Sequence, residues 1–84
     1  MSYFVYILEC SDRTYYTGST NDVAKRVRAH NAGKTGAKYT RGRLPVRLVY
    51  VEKCANKSDA LKREALIKRM TRTEKQGLIK DRYG

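Results

Sequence analysis

Eighty-four residues make one small domain, because a chain this short buries only about two thirds of its unfolded surface and cannot support a second core. Nineteen Lys and Arg against eight Asp and Glu give a formal charge of +11, a positive field that suits polyanionic partners. The longest apolar run, Tyr3 to Leu8, is far below the roughly 18 residues of a membrane span, no signal-peptide pattern opens the chain, and the basic residues are not gathered on one amphipathic helix, so a soluble cytoplasmic protein with no membrane partner is expected.

"YFVYILEC" combines β-branched and aromatic residues and reads as a first strand. "RTYYTG" reads as a second, after the turn residues Ser11 and Asp12, and a hairpin is the simplest connection. Thr20 or Asn21 can cap a helix over about residues 21–32, with Val23, Ala24 and Val27 at helical spacing and Gly33 as its stop. "GKTGAKYTRGRLP", rich in glycine and basic residues and ending at Pro45, reads as a long exposed loop. "VRLVYVEK" alternates as a third strand, Ser58 can cap a helix over "DALKREALIKRM", and Thr71 with Glu74 three residues on is a capping box for a last helix that Gly77 weakens and that frays near Arg82. The expected order is ββαβαα, an α+β layer whose small sheet hides one or both faces under helices. Cys10 and Cys54 lack zinc-site spacing and read as reduced, partly buried thiols.

Several polar residues stand where apolar ones would be expected. Arg26 and His30, one turn apart, share a helix face with Val23 and Val27; taken alone, each is better explained as a snorkelling arginine or a boundary histidine. Glu64 falls inside an apolar arc of Ala60, Leu61, Ala65 and Ile67, with Asp59, Lys62, Arg63 and Arg69 elsewhere. A core-facing carboxylate there needs either a basic partner or a hard divalent ion. Strand residues alternate faces, so Tyr6 and Tyr16 share a face only if the loop between the strands has an odd number of residues. A three-residue loop Ser11, Asp12, Arg13 meets that condition and places Arg13 in a left-handed position at roughly 1 kcal/mol of strain; the tyrosines could equally be a simple packing pair. In the basic loop, "GKT" is similar to the end of a phosphate-binding P-loop, but Arg28 stands where its first glycine belongs and a helix precedes it, so nucleotide binding is rejected. Lys34, Lys38, Arg41 and Arg43, interleaved with Tyr39, fit phosphate contacts and a base stack, with an idle solvated loop as the alternative.

Taken together, "FVY" at Phe4 to Tyr6 and "YTG" at Tyr16 to Gly18, followed by Arg26, His30 and Glu64, resemble the GIY-YIG nuclease domain, in the layout of its short single-domain members and over roughly residues 3–78. The resemblance implies a three-stranded antiparallel sheet with flanking helices and divalent-metal-dependent cleavage of phosphodiesters. It places Tyr6 and Tyr16 as the motif tyrosines, Arg26 as the helix arginine, His30 at a His-or-Tyr position and Glu64 as the metal-binding glutamate. Phe-Val-Tyr replaces Gly-Ile-Tyr, which keeps the hydroxyl, and no Asn follows Asn56 where many relatives carry one.

What the resemblance implies is therefore one domain over residues 1–84 that acts as an Mg²⁺- or Mn²⁺-dependent endonuclease on nucleic acid, DNA more than RNA. Tyr6 or Tyr16, helped by His30, would deprotonate a water, with Arg26 and the metal lowering the phenol's pKa. Charge alone supports a different class just as well, a non-catalytic nucleic-acid-binding module on a nuclease scaffold. A third reading is a subunit that works with a protein partner supplying target specificity.

Overall fold

The N-terminal apolar run becomes the centre of the sheet. In the computed structural model, which describes residues 2–34 and 38–83, the elements are β1 (Tyr3–Glu9), β2 (Tyr15–Thr20), α1 (Val23–Asn31), α2 (Lys38–Arg41), β3 (Arg47–Cys54), α3 (Lys57–Lys68) and α4 (Arg72–Tyr83). The strand order is β2-β1-β3 with both pairings antiparallel, the α+β architecture expected from the sequence, with the short α2 in addition.

β1 does not alternate between apolar and polar residues because both of its faces are covered. On one face Tyr6, Leu8 and Cys10 join Val46, with Tyr16, Leu44 and Val27 of α1 packed against them. On the other, Val5, Ile7 and Tyr50 meet Ala60 and Ile67 of α3, with Met70, Leu78 and Ile79 alongside. Val5, Tyr6, Ile7 and Leu8 are all fully buried. At about 1.5–3 kcal/mol for each large apolar side chain removed from water, they outweigh the surface ion pairs, which are worth about 0–1 kcal/mol apiece. Cys10 and Cys54 are free thiols belonging to these two separate clusters.

The β1–β2 connection is the three-residue loop that the parity argument requires. Cys10 N donates to Thr14 O at 2.8 Å and Arg13 N to Cys10 O at 2.9 Å, while Arg13 takes a φ of +70°. The Asp12 carboxylate accepts from Thr14 N at 3.2 Å and from the Thr14 hydroxyl at 2.6 Å, and the latter bond is the main reason its pKa lies below the usual carboxylate value. The resulting register pairs Tyr6 with Gly18 and Leu8 with Tyr16, so the two tyrosines lie on one face.

The helices begin one or two residues away from where propensity alone places them. Asp22, rather than Thr20 or Asn21, caps α1 by accepting from Lys25 N at 3.1 Å; the Thr20 hydroxyl instead accepts from Asp22 N and shapes the entry turn. Asn56, rather than Ser58, caps α3, accepting from Asp59 N at 2.8 Å. The Thr71–Glu74 capping box forms as expected, and α4 runs from Arg72 to Tyr83. On α3 the buried stripe is narrower than the expected arc: Ala60 and Ile67 are buried, but Leu61 and Ala65 are exposed. Arg63, expected on the outer face, turns to Glu52 at 2.8 Å, and Glu52 also accepts from the Tyr50 hydroxyl at 2.7 Å.

The largest departure is in the basic segment between Gly33 and Pro45. Residues 38–41 are not loop but the single helical turn α2, which sinks Thr40 to 1% exposure; Thr35 to Ala37, including the threonine of "GKT", lie outside the described residues. The Asn31 side chain ties the end of α1 to the start of β3, donating to Val46 O at 3.0 Å and accepting from Val46 N at 2.7 Å. Among the described residues no helix is long and apolar enough to cross a membrane.

Replacing Arg13 by Gly should raise stability by up to about 1 kcal/mol, because glycine adopts the positive φ without steric cost. The Arg72 guanidinium bonds the main-chain carbonyl of residue 13, a contact the substitution keeps. Urea unfolding of the two proteins measures the gain, and an unchanged or lower midpoint would show that the turn is not strained.

Candidate active site

Gly18 makes room for a tyrosine. It sits opposite Tyr6 in the β1–β2 register, and a Cβ built there would lie 2.5 Å from the Tyr6 hydroxyl and 3.2 Å from Cε2 of Tyr16. The Tyr6 ring therefore lies across the bare backbone of β2, and both motif tyrosines press on the same glycine.

α1 closes over this phenol with its last turn. His30, 1% exposed, places Nε2 3.1 Å from the Tyr6 hydroxyl and Nδ1 3.0 Å from the hydroxyl of Thr40 on α2. A neutral imidazole donates through one nitrogen and accepts through the other, so either tautomer links the two hydroxyls through the ring. The half-buried Tyr16 packs edge-on to His30 at 5.2 Å between centroids and stands 6.4 Å from Tyr6. Tyr39, 39% exposed, lies 6.1 Å from Tyr16, and the Arg43 guanidinium covers its ring at 4.1 Å.

Two charged groups complete the cluster. Arg26 is exposed on α1, one turn before His30, and is close enough for its charge to lower the pKa of the Tyr6 hydroxyl. Glu64 on α3 is close enough for its charge to be felt at Tyr6. The Glu64 side chain is only 16% exposed and pairs with Lys68 one turn on, Nζ to Oε2 at 2.8 Å. Tyr6 of β1, Tyr16 of β2 and His30 of α1 thus meet directly, with Arg26 of α1 and Glu64 of α3 near enough for their charges to act on Tyr6.

The electrostatics differ from the sequence expectation at one point. Arg26 does lower the pKa of Tyr6, but burial and the neighbouring Tyr16 raise it more, so the phenol is pushed up to about 12. Tyr6 is un-ionised at neutral pH. Burial, reinforced by Arg26, lowers the pKa of His30 and keeps its ring neutral. Lys68 is raised, chiefly by its hydrogen bond to Glu64.

The basic segment divides. Lys34, Lys38 and Arg41 point into solvent, whereas Arg43 is committed to Asp12 Oδ2 at 2.9 Å, to Tyr39 O at 2.7 Å and to the Tyr39 ring. Arg43 fastens the hairpin tip to α2, and with it Thr40 against His30. Sequence reasoning missed two residues here. Thr40 carried no signal, since its segment reads as loop. Lys68 did carry one, the Glu-to-Lys spacing of four that pairs side chains along a helix.

Comparison with known proteins agrees with this fold. The model of the GIY-YIG catalytic domain matches residues 2–77. A UPF0213 protein of Syntrophus aciditrophicus is 58% identical over 77 residues, covering 92% of this chain and 88% of its own. One of Halobacterium salinarum is 56% identical over 75 residues, covering 89% and 96%. Among solved structures, the solution NMR structure of a UPF0213 protein from Bacillus halodurans has 45% identity and a TM-score of 0.64, over 100% of this chain and 88% of that one. A second, of an E. faecalis protein, has 40% identity and a TM-score of 0.65 over 96% and 85%.

Gly18→Ala should destabilise the protein by about 1–3 kcal/mol, because the added methyl meets the hydroxyl of the fully buried Tyr6 ring. Thermal unfolding checks the magnitude; a neutral result would mean that Tyr6 does not lie on Gly18. The depressed His30 pKa has a second consequence. The unfolded chain takes up the proton more readily than the folded one, so stability is fully present above the ordinary histidine value of about 6.5 and declines as pH falls through it toward the lower folded value. Unfolding midpoints measured from about pH 7.5 to 5 should show this decline, and His30→Asn should remove it; a slope that survives the substitution belongs to another group.

Proposed function

The chain belongs to the GIY-YIG catalytic domain family, and on that premise we propose that it is a divalent-metal-dependent endonuclease that hydrolyses phosphodiester bonds in nucleic acid, DNA in preference to RNA. The observation that supports this most is the meeting of Tyr6, Tyr16, Arg26, His30 and Glu64, from four separate elements, around one buried phenol–imidazole pair.

The donor set suits a hard cation. Glu64 offers one largely buried carboxylate, and among the described residues no group of three or more His, Cys, Asp and Glu gathers anywhere. One carboxylate, completed by waters and the substrate phosphate, is a common way of holding Mg²⁺ or Mn²⁺. When bound, such an ion supplies Lewis acidity at the phosphate and stabilises the leaving oxygen.

The protein's own groups divide the remaining work. Tyr6 is fully buried and un-ionised, so it is not the group that meets a water; it holds His30 in place. Tyr16 is the phenol that solvent reaches, so it rather than Tyr6 is the general base for the attacking water. His30 stays neutral between Tyr6 and Thr40 and fixes the Tyr16 ring edge-on. Arg26, charged and exposed at the rim, offsets the charge that grows on the phosphate oxygens. Lys34, Lys38 and Arg41 contact flanking phosphates, with Tyr39 as the aromatic wall beside them.

The test is incubation with single-stranded, duplex and branched DNA and with RNA, with and without Mg²⁺ or Mn²⁺. Glu64→Gln should keep the fold and salt-sensitive binding yet lose cleavage by at least about a hundredfold. Full activity in that variant removes the site; retention of nucleic acid without products under every condition supports the binding-module reading instead.

A further inference from the structure

The carboxylate assigned to the metal already has a cation on it. Lys68 Nζ stands 2.8 Å from Glu64 Oε2, and the two side chains differ in exposure, 53% for the lysine and 16% for the glutamate. The ammonium therefore approaches from the solvent side, the side from which a cation or a phosphate must enter. Its charge also couples to Tyr16, so it stands near both the carboxylate and the solvent-open phenol. Both partners lie on one face of α3, four residues apart, and the long lysine stem can swing without moving the helix.

We infer that Lys68 gates the metal site: its ammonium is the resident counter-ion of Glu64, and a divalent cation binds that carboxylate in exchange for it. This rests on the reading of Glu64 as the metal ligand. A monovalent charge held beside the site repels an incoming divalent ion, so metal affinity in the free protein is kept low. A nucleic-acid phosphate arriving beside Glu64 offers the ammonium another anion and draws it off the carboxylate. Substrate binding and metal binding then favour each other by an equal factor, as linkage requires. Metal is thereby taken up where a phosphate is already present.

The test is Mn²⁺ binding to the free protein, followed by the loss of the aqueous Mn²⁺ paramagnetic resonance signal, with no nucleic acid and no turnover. Lys68→Met should bind Mn²⁺ about tenfold more tightly than the native protein, the effect of removing one charge a few ångströms from a divalent ion in a largely aqueous setting. Lys68→Gln, a second neutral variant, should behave alike, and Lys68→Arg, which keeps the charge, should stay near the native affinity. Circular dichroism establishes that each variant is folded. Unchanged or weaker Mn²⁺ binding in both neutral variants, with Glu64→Gln abolishing it, overturns the gate and leaves the metal site standing. Binding that survives Glu64→Gln overturns both.

Discussion

The Tyr6 hydroxyl is a polar group in the middle of a small core, and such a group is tolerated only with a hydrogen-bond partner and a place for its ring. Much of the molecule follows from meeting those two needs. The place is made by omitting a side chain at Gly18, which the β1–β2 register sets directly opposite. That register depends on a three-residue turn closed by Arg13 at positive φ. The partner is His30, delivered by the last turn of α1, and Thr40 holds the other ring nitrogen. Arg43 then ties α2 to the hairpin tip through Asp12, so the turn that sets the register also anchors the residue that holds the histidine.

This chain of dependence explains which parts of the protein were legible beforehand. The sheet and three of the four helices could be read because Tyr3 to Leu8, Val46 to Lys53 and the Thr71–Glu74 box carry local signals that agree with the final packing. The shared face of Tyr6 and Tyr16 hung on an odd number of loop residues, a condition that the three-residue turn meets. What escaped was decided by long-range contacts. Asp22 and Asn56 prevailed over other good capping residues because of how the chain enters each helix. α2 exists because Thr40 is needed under His30, and nothing in "GAKYTRG" announces a partner ten residues earlier. The sign of the Tyr6 shift depended on how deep the phenol lies, which spacing cannot tell; with Arg26 at the rim, burial outweighs the guanidinium.

The site combines two electrostatic regimes. Beneath, Tyr6 and His30 are both held neutral by desolvation, so the phenol and imidazole form a fixed and uncharged floor. Above, Arg26, Glu64 and Lys68 carry charge at the solvent boundary, where their interactions respond to whatever enters. Under the proposed function, a phosphodiester and a divalent ion would occupy the upper layer. The surface charge of +11 brings a polyanion to the protein, but it does so equally for a binder and for an enzyme. The proposed function rests instead on the placement of the few charged groups over the neutral floor.

The central claim is that this floor stays neutral, and the Tyr6 phenol reports on it directly. Carbon-13 labelling at the ζ position of tyrosine, with the Tyr6 resonance assigned through Tyr6→Phe, follows each phenol through an alkaline NMR titration. The account predicts that the Tyr6 signal remains that of the protonated phenol through about pH 10, where an unperturbed tyrosine is half ionised, and moves only toward 12. Ionisation of Tyr6 at or below that ordinary value would contradict it, because the hydroxyl would then be solvated and the arrangement of His30 and Thr40 above it could not be as described.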